Sequence, residues 1–139
     1  MNHQDILYDT YHGIIQKILA DENSFFFFKP VDPEADGAQD YYSIVIKPMC
    51  FFTIQEKLDN KEYQNQNEFI ADVRQIWQNA KLYNQSTHPI YKAADRLAKK
   101  FEILSASLPR PVKESESHSA LQRYIELRIG RYKSQRIHQ

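Results

Sequence analysis

Apolar residues recur along most of this chain with helical rather than alternating spacing. Leu7, Tyr11, Ile14, Ile15, Ile18 and Leu19 follow the i, i+4, i+7, i+8 rule of an amphipathic helix, which Asp21, Asn23 and Ser24 then interrupt. A first helix is predicted over residues 4–21. Thr53 to Leu58 reads as a short helix, followed by a polar stretch to Gln66. Asn65, with Glu68 three residues on, has the pattern of an N-cap for a longer helix buried through Phe69, Val73, Ile76, Trp77, Ala80 and Tyr83 and ending near Asn84. Pro89 stands where a first helical turn tolerates proline, and Ile90, Ala94, Leu97, Phe101, Leu104 and Leu108 mark another long helix. Four principal helices of similar length predict an all-α bundle.

Between the first two helices the pattern breaks. Phe25 to Phe28 are four aromatics in a row, followed by Pro30, Pro33, Asp36-Gly37 and, after the apolar group Tyr41 to Ile46, Pro48. Prolines remove amide donors and force extended neighbours, so residues 25–49 read as a long loop holding one short helix at 40–46. A loop of this length in a small domain is either disordered or functional. One so rich in aromatics is too apolar to be left in water, yet four adjacent side chains of an extended segment cannot all point inward, so at least one belongs to a rim or shelf. At the other end, Pro109 and Pro111 close the last bundle helix and residues 113–118 are linker-like. Ser119 with Gln122 opens a further amphipathic segment carrying Leu121, Ile125, Ile129 and Tyr132 on one side, and Arg123, Arg128, Arg131 and Lys133 elsewhere. The predicted organisation is a bundle at 1–108, a linker at 109–118 and a basic C-terminal helix or tail at 119–139.

With 139 residues the chain is long enough for one domain with a sizeable core and no covalent staples. Cys50 is its only cysteine and cannot close an intrachain disulfide or supply a multi-cysteine zinc site. No apolar run approaches the roughly 18 to 20 residues of a membrane span, and Asp5 and Asp9 do not fit a signal peptide, so a soluble intracellular protein is expected. The formal net charge is zero, but residues 1–108 carry net minus 4 and residues 109–139 net plus 4. An acidic body argues against electrostatic nucleic-acid binding there and for a cationic partner.

Material for catalysis is thin. The 5 histidines are scattered without metal-ligand spacing, and no glycine-rich phosphate loop occurs. His88, beside a proline in a connector, reads as a helix cap or a solvated side chain, and Cys50 as an inert thiol. No cofactor, metal or enzymatic activity is expected.

The stronger pattern is apolar with a few polar atoms. Phe27, Pro30-Val31-Asp32, Asp40-Tyr41-Tyr42, Pro48-Met49, Thr53-Ile54, Leu58, Tyr63, Phe69, Asp72-Val73, Asn79-Ala80, Tyr83-Asn84, and Ala94 with Leu97 resemble, in order and spacing, the bromodomain family over about residues 5–108. The resemblance implies a left-handed four-helix bundle, with a pocket for N-acetyl-lysine between the loop after the first helix and the connector before the last. It implies that Asn84 donates to the acetyl carbonyl, that Tyr41 holds a structured water touching the same oxygen, and that Phe27, Val31, Tyr83 and Ile90 form the wall. Phe25, Phe26, Pro30 and His88 fall at the rim. It further implies an acetylated histone tail or other basic peptide as partner, and residence in the nucleus.

The chemistry agrees with that assignment. Acetylation turns a lysine ammonium into a neutral amide with one carbonyl acceptor on an apolar stem, so its receptor is a greasy slot with a fixed donor. Asparagine donates without charge, whereas an ionised aspartate at 84 could only accept. An unmodified ammonium would lose its water and meet no carboxylate. Competing readings stay open at this level: a terminal asparagine can simply cap its helix, and one of Tyr41 and Tyr42 is expected to be core. A helical scaffold with a vestigial pocket, binding partners or nucleic acid through its basic C-terminal helix, is the alternative function.

The chain also departs from the family pattern. Phe25-Phe26 stands where many members have Trp-Pro. Cys50, a poor helix cap, follows Pro-Met, so the next helix is expected to start at Phe52 or Thr53. Asp36 and Ala38 replace loop leucines and predict a more polar, more open outer wall.

Overall fold

The computed structural model describes residues 3–106 and 108, so the expected linker and the C-terminal helix lie outside the described residues. Those described form helices and no strand: α1 (His3–Leu19), a 3-10 helix (Glu22–Phe27), α2 (Tyr41–Ile44), α3 (Phe51–Asp59), α4 (Gln66–Tyr83) and α5 (Pro89–Ser105). The all-helical bundle anticipated from the spacing is present, though its principal helices are not of similar length, since α3 has only 9 residues beside 17 or 18 in the others. Helix α5 packs against both α1 and α4, and α3 against α1 and α4.

The ends of the helices show why the chain turns where it does. After α1, Asp21 takes an extended backbone and its Oδ1 accepts from the Asn23 amide at 2.9 Å, which starts the 3-10 helix. That helix corrects the expectation of an extended aromatic loop. With three residues per turn, consecutive phenylalanines point about 120° apart. Phe25 is accordingly 83% exposed, Phe26 44%, and Phe27 is buried edge-on against Trp77 at 5.7 Å between centroids.

Helix α3 begins at Phe51, earlier than expected. Cys50 is its N-cap and makes no side-chain cap bond, as a poor capping residue should. A tertiary contact substitutes: the Phe52 amide donates to the Phe28 carbonyl at 2.9 Å. Helix α4 is capped by Asn65, whose Oδ1 accepts from the Glu68 amide at 3.1 Å, while Glu68 Oε2 accepts from the Gln64 amide at 3.0 Å. The reciprocal bond lands one residue before the usual capping-box position. Helix α5 starts with Pro89 and is capped by His88, whose Nδ1 accepts from the Ile90 amide at 3.0 Å. Removing that acceptor with His88→Ala is expected to cost roughly 0.5–2 kcal/mol in urea denaturation, with His88→Asn restoring most of it.

The core runs along the bundle. Phe69, fully buried, stacks on Tyr11 at 4.4 Å and meets Tyr63 and Phe101 edge-on at 5.7 and 6.2 Å, joining α1, the α3–α4 connection, α4 and α5. Around it a polar knot closes the connection: the Tyr8 hydroxyl donates to the Tyr63 carbonyl, and the Tyr63 hydroxyl and Lys57 Nζ both donate to Asp72 Oδ2, each at 2.7 Å. Burial, then the bond to Asp72, pushes the Tyr63 hydroxyl pKa well above its ordinary value and keeps it a donor. Satisfying these atoms lets a tyrosine-rich core avoid the cost of unpaired buried polar groups.

Candidate functional site

The loop after α1 and the connector before α5 enclose a cavity of about 1300 Å³. All ten residues singled out in the sequence line it: Asn84, Tyr41, Tyr83, Val31, Phe27 and Ile90, together with Phe25, Phe26, His88 and Pro30. Their burial grades from inside to outside. Phe27 and Tyr41 are buried, Val31, Tyr83, Asn84 and Ile90 are half-buried, and Phe25, Phe26, Pro30 and His88 are exposed.

Local hydrogen bonds shape the loop. Asp32 Oδ1 accepts from the Glu34 and Ala35 amides at 3.2 Å, and Asp36 Oδ2 accepts from the Asp32 amide at 3.0 Å. Gly37 follows with φ of 66°, a left-handed conformation that glycine adopts without the Cβ penalty. This folded turn brings Ala38 against Tyr41 and Val45 in a small cluster, separate from the main core, onto which Val31 and Tyr83 pack. Two tyrosine hydroxyls secure it. Tyr42 donates to the Val31 carbonyl and Tyr83 to Asp40 Oδ1, both at 2.6 Å. Of the Tyr41–Tyr42 pair, Tyr41 is the buried one, and Tyr42 is 44% exposed while holding the loop.

The polar atoms of the inner cavity are few. Asn84 caps α4 in an extended conformation, its own amide N–H and its side-chain Nδ2 both donating to the Ala80 carbonyl, at 3.0 and 2.9 Å. The capping reading therefore holds, but it uses one of two side-chain N–H groups and fixes the orientation of the other. The Tyr41 hydroxyl has no hydrogen-bond partner among the described residues, although its backbone bonds Ala38 and Val45, and burial, followed by the influence of Tyr42, raises its pKa. Its hydroxyl is thus a neutral donor and acceptor across the physiological range. The remaining inner wall, Phe27, Ala38, Ile76 and Ala80, is buried and apolar.

In one respect the cavity differs from the sequence picture. Asp21, Glu22, Asp32 and Asp36 all lie on its wall, so a lysine entering it does meet carboxylates. Glu22, Asp32 and Asp36 are exposed, and Asp21 is engaged with the Asn23 amide and with Lys100 Nζ at 3.5 Å. The acidic groups thus mark the mouth, where exposed Asp36 makes the outer wall polar as expected, whereas Ala38 turns inward against Tyr41 and Val45 and belongs to the apolar inner wall.

Several contributors were not assigned to the site from the sequence, although they stand in its motifs or on its buried helix face. Asn79, buried in α4, donates through Nδ2 to the Lys47 carbonyl and accepts from Gln75 Nε2, each at 2.7 Å, and so ties the end of the loop to the bundle. Met49, Ile76 and Ala80 complete the wall. A helical asparagine on a buried face was the available clue to Asn79, since a buried amide requires partners. His88, at the rim, has its Nδ1 occupied by the α5 cap, and Cys50 is buried with its sulfur 3.3 Å from Thr53 Oγ1. Among the described residues no cluster of three or more His, Cys, Asp or Glu side chains is placed to hold a metal, and no helix is long and apolar enough to cross a membrane.

Comparison with known proteins places this architecture. The family model described as Bromodomain matches residues 11–96. An ankyrin repeat, bromo and BTB domain-containing protein of Dictyostelium discoideum is 39% identical over 90 residues, covering 65% of this chain and 11% of that protein. Transcription factor GTE1 of Arabidopsis thaliana is 42% identical over 76 residues, covering 55% of this chain and 20% of that protein. The match thus spans a fifth or less of the length of either relative.

Proposed function

Because the chain belongs to the bromodomain family of acetyl-lysine readers, we propose that its cavity binds N-acetyl-lysine in a basic peptide, with Asn84 as the donor to the acetyl carbonyl. The observation that carries this reading is the pairing of an oriented, half-used Asn84 amide with the unpartnered hydroxyl of buried Tyr41 on an otherwise apolar wall. A neutral carbonyl on an apolar stem satisfies both. The second Asn84 N–H donates to it directly, Tyr41 acts through a bridging water, and Phe27, Val31, Tyr83 and Ile90 cover the methylenes. Phe25, Phe26, Pro30 and His88 meet the flanking peptide.

Charge separates attraction from selection. The carboxylates at the mouth draw in a cationic peptide whether or not it is acetylated, which favours encounter. Past them the wall offers no anion to an ammonium, and an unsolvated charge there is costly. Selection therefore happens at depth. A histone tail is the peptide of matching chemistry, and the relative named as a transcription factor supports a place in the nucleus, coupling acetylation to chromatin-associated assembly. Single-site affinity is modest because one slot buries little area.

The test is calorimetric titration of the full chain with a basic peptide carrying one acetyl-lysine and with its unmodified twin. The acetylated form is expected to bind at least roughly tenfold more tightly, a difference of about 1.4 kcal/mol. Equal binding of the two would leave the helical scaffold, acting through its basic C-terminal segment, as the better account.

A further inference from the structure

We propose that the exposed face of α5 is a second binding site, for the phosphate backbone of a nucleic acid. Its physical basis is charge segregation that the average over the body conceals. Residues 21–40, on the loop side, carry six carboxylates against the single cation Lys29. On α5, Lys92, Arg96 and Lys99 recur at i, i+4 and i+7, all exposed, along a shallow groove of about 490 Å³ that also contains Ser86, Tyr91 and Asp95. Such spacing puts them on one helix face over about 10 Å of axis.

The groove's one carboxylate is already engaged. Asp95 pairs with Lys81 at 2.9 Å and Lys99 at 3.1 Å, while Lys92 and Arg96 have no ion pair among the described residues. Glu102, the other acidic residue of α5, is held by Arg74 at 2.8 and 2.9 Å. Four cations therefore share one anion around the groove, leaving an excess of three positive charges. Solvated lysines scattered on a surface gain little from one another. A row of cations in excess gains from a partner with regularly spaced negative charge, because each phosphate neutralised releases condensed counterions. The Ser86 hydroxyl and the Tyr91 ring, with Lys81 Nζ 5.6 Å from its centroid, add a hydroxyl donor and an aromatic surface that suit sugar-phosphate better than a carboxylate chain.

The site does not depend on the acetyl-lysine reading, although the two are adjacent: Ile90 of the cavity wall and Lys92 of the groove lie two residues apart on α5, and Asn84 and Ser86 two apart on the connector. A nucleic acid carrying, or lying beside, an acetylated basic tail could engage both faces, each raising the effective concentration for the other.

The experiment uses the full chain, a fluorescein-labelled DNA duplex of about 20 base pairs and fluorescence anisotropy over a salt series. The variant Lys92→Gln/Arg96→Gln/Lys99→Gln keeps helix-forming side chains at exposed positions. A control variant, Arg123→Gln/Arg128→Gln/Arg131→Gln/Lys133→Gln, measures what the C-terminal segment contributes. The α5 variant is expected to lower duplex affinity at least roughly tenfold in low salt and to reduce the slope of log affinity against log salt by about 2.7, at 0.9 per phosphate. Its acetyl-peptide affinity should stay within about twofold, which separates failure of this site from failure of the pocket. An unchanged salt slope in the α5 variant, or loss of all duplex binding in the C-terminal variant alone, would overturn the proposal. So would tighter binding of polyglutamate than of the duplex, which would assign the groove to an acidic protein partner.

Discussion

Asn84→Ala is expected to weaken acetyl-peptide binding by about 5- to 150-fold, the 1–3 kcal/mol of leaving one buried acceptor without its donor. The fold should survive, because Asn84 is half-buried at a helix end and its backbone bond to the Ala80 carbonyl is independent of the side chain. Asn84→Asp sharpens the test. The carboxylate is nearly isosteric but brings no N–H, so it should bind acetyl-lysine as poorly as alanine does, and it would also face the Ala80 carbonyl that now accepts from Nδ2. Calorimetry gives the affinity and urea denaturation of the same preparations gives the stability. A variant that keeps parental affinity at parental stability would remove Asn84 from the site.

The largest effect on stability is expected at Phe69. Phe69→Ala would open a cavity at the meeting point of Tyr11, Tyr63 and Phe101, with an expected cost of about 3–5 kcal/mol. That is a large fraction of the roughly 5–15 kcal/mol that holds a small domain together. The midpoint of urea unfolding should fall steeply while the dependence on denaturant stays the same, since the surface exposed on unfolding barely changes. Phe69→Leu, which refills most of the volume, should recover much of the loss.

How far the sequence could be read follows from what each feature depends on. Helices α1, α4 and α5 were legible because their buried residues repeat at helical spacing, and the Asn65 cap because its partner is three residues away. The cavity-lining set was legible through the ordered motifs from Phe27 to Asn84. The start of α3 was not, because the group that satisfies its first turn is a main-chain carbonyl 24 positions earlier, at Phe28, which no local pattern encodes. The 3-10 helix was hidden for a related reason: a run of identical aromatics has no period, so which ring turns inward is decided by tertiary packing, here of Phe27 into the core against Trp77. Charge shows the opposite failure. A net value for residues 1–108 is correct as a sum, yet it averages over an acidic loop and a cationic helix that the fold keeps apart.

The amide of Phe52 resting on the carbonyl of Phe28 sets limits on how the binding site can adapt. That bond fastens the inner end of the aromatic run to the start of a bundle helix, so this margin cannot swing outward without fraying the helix behind it. Accommodation of differently shaped partners then falls to the parts not so fastened: the solvent-facing ring of Phe25 and the short turn from Asp32 to Ala38, which is held largely by its own hydrogen bonds. One border of the opening behaves as a fixed jamb and the other as the adjustable side.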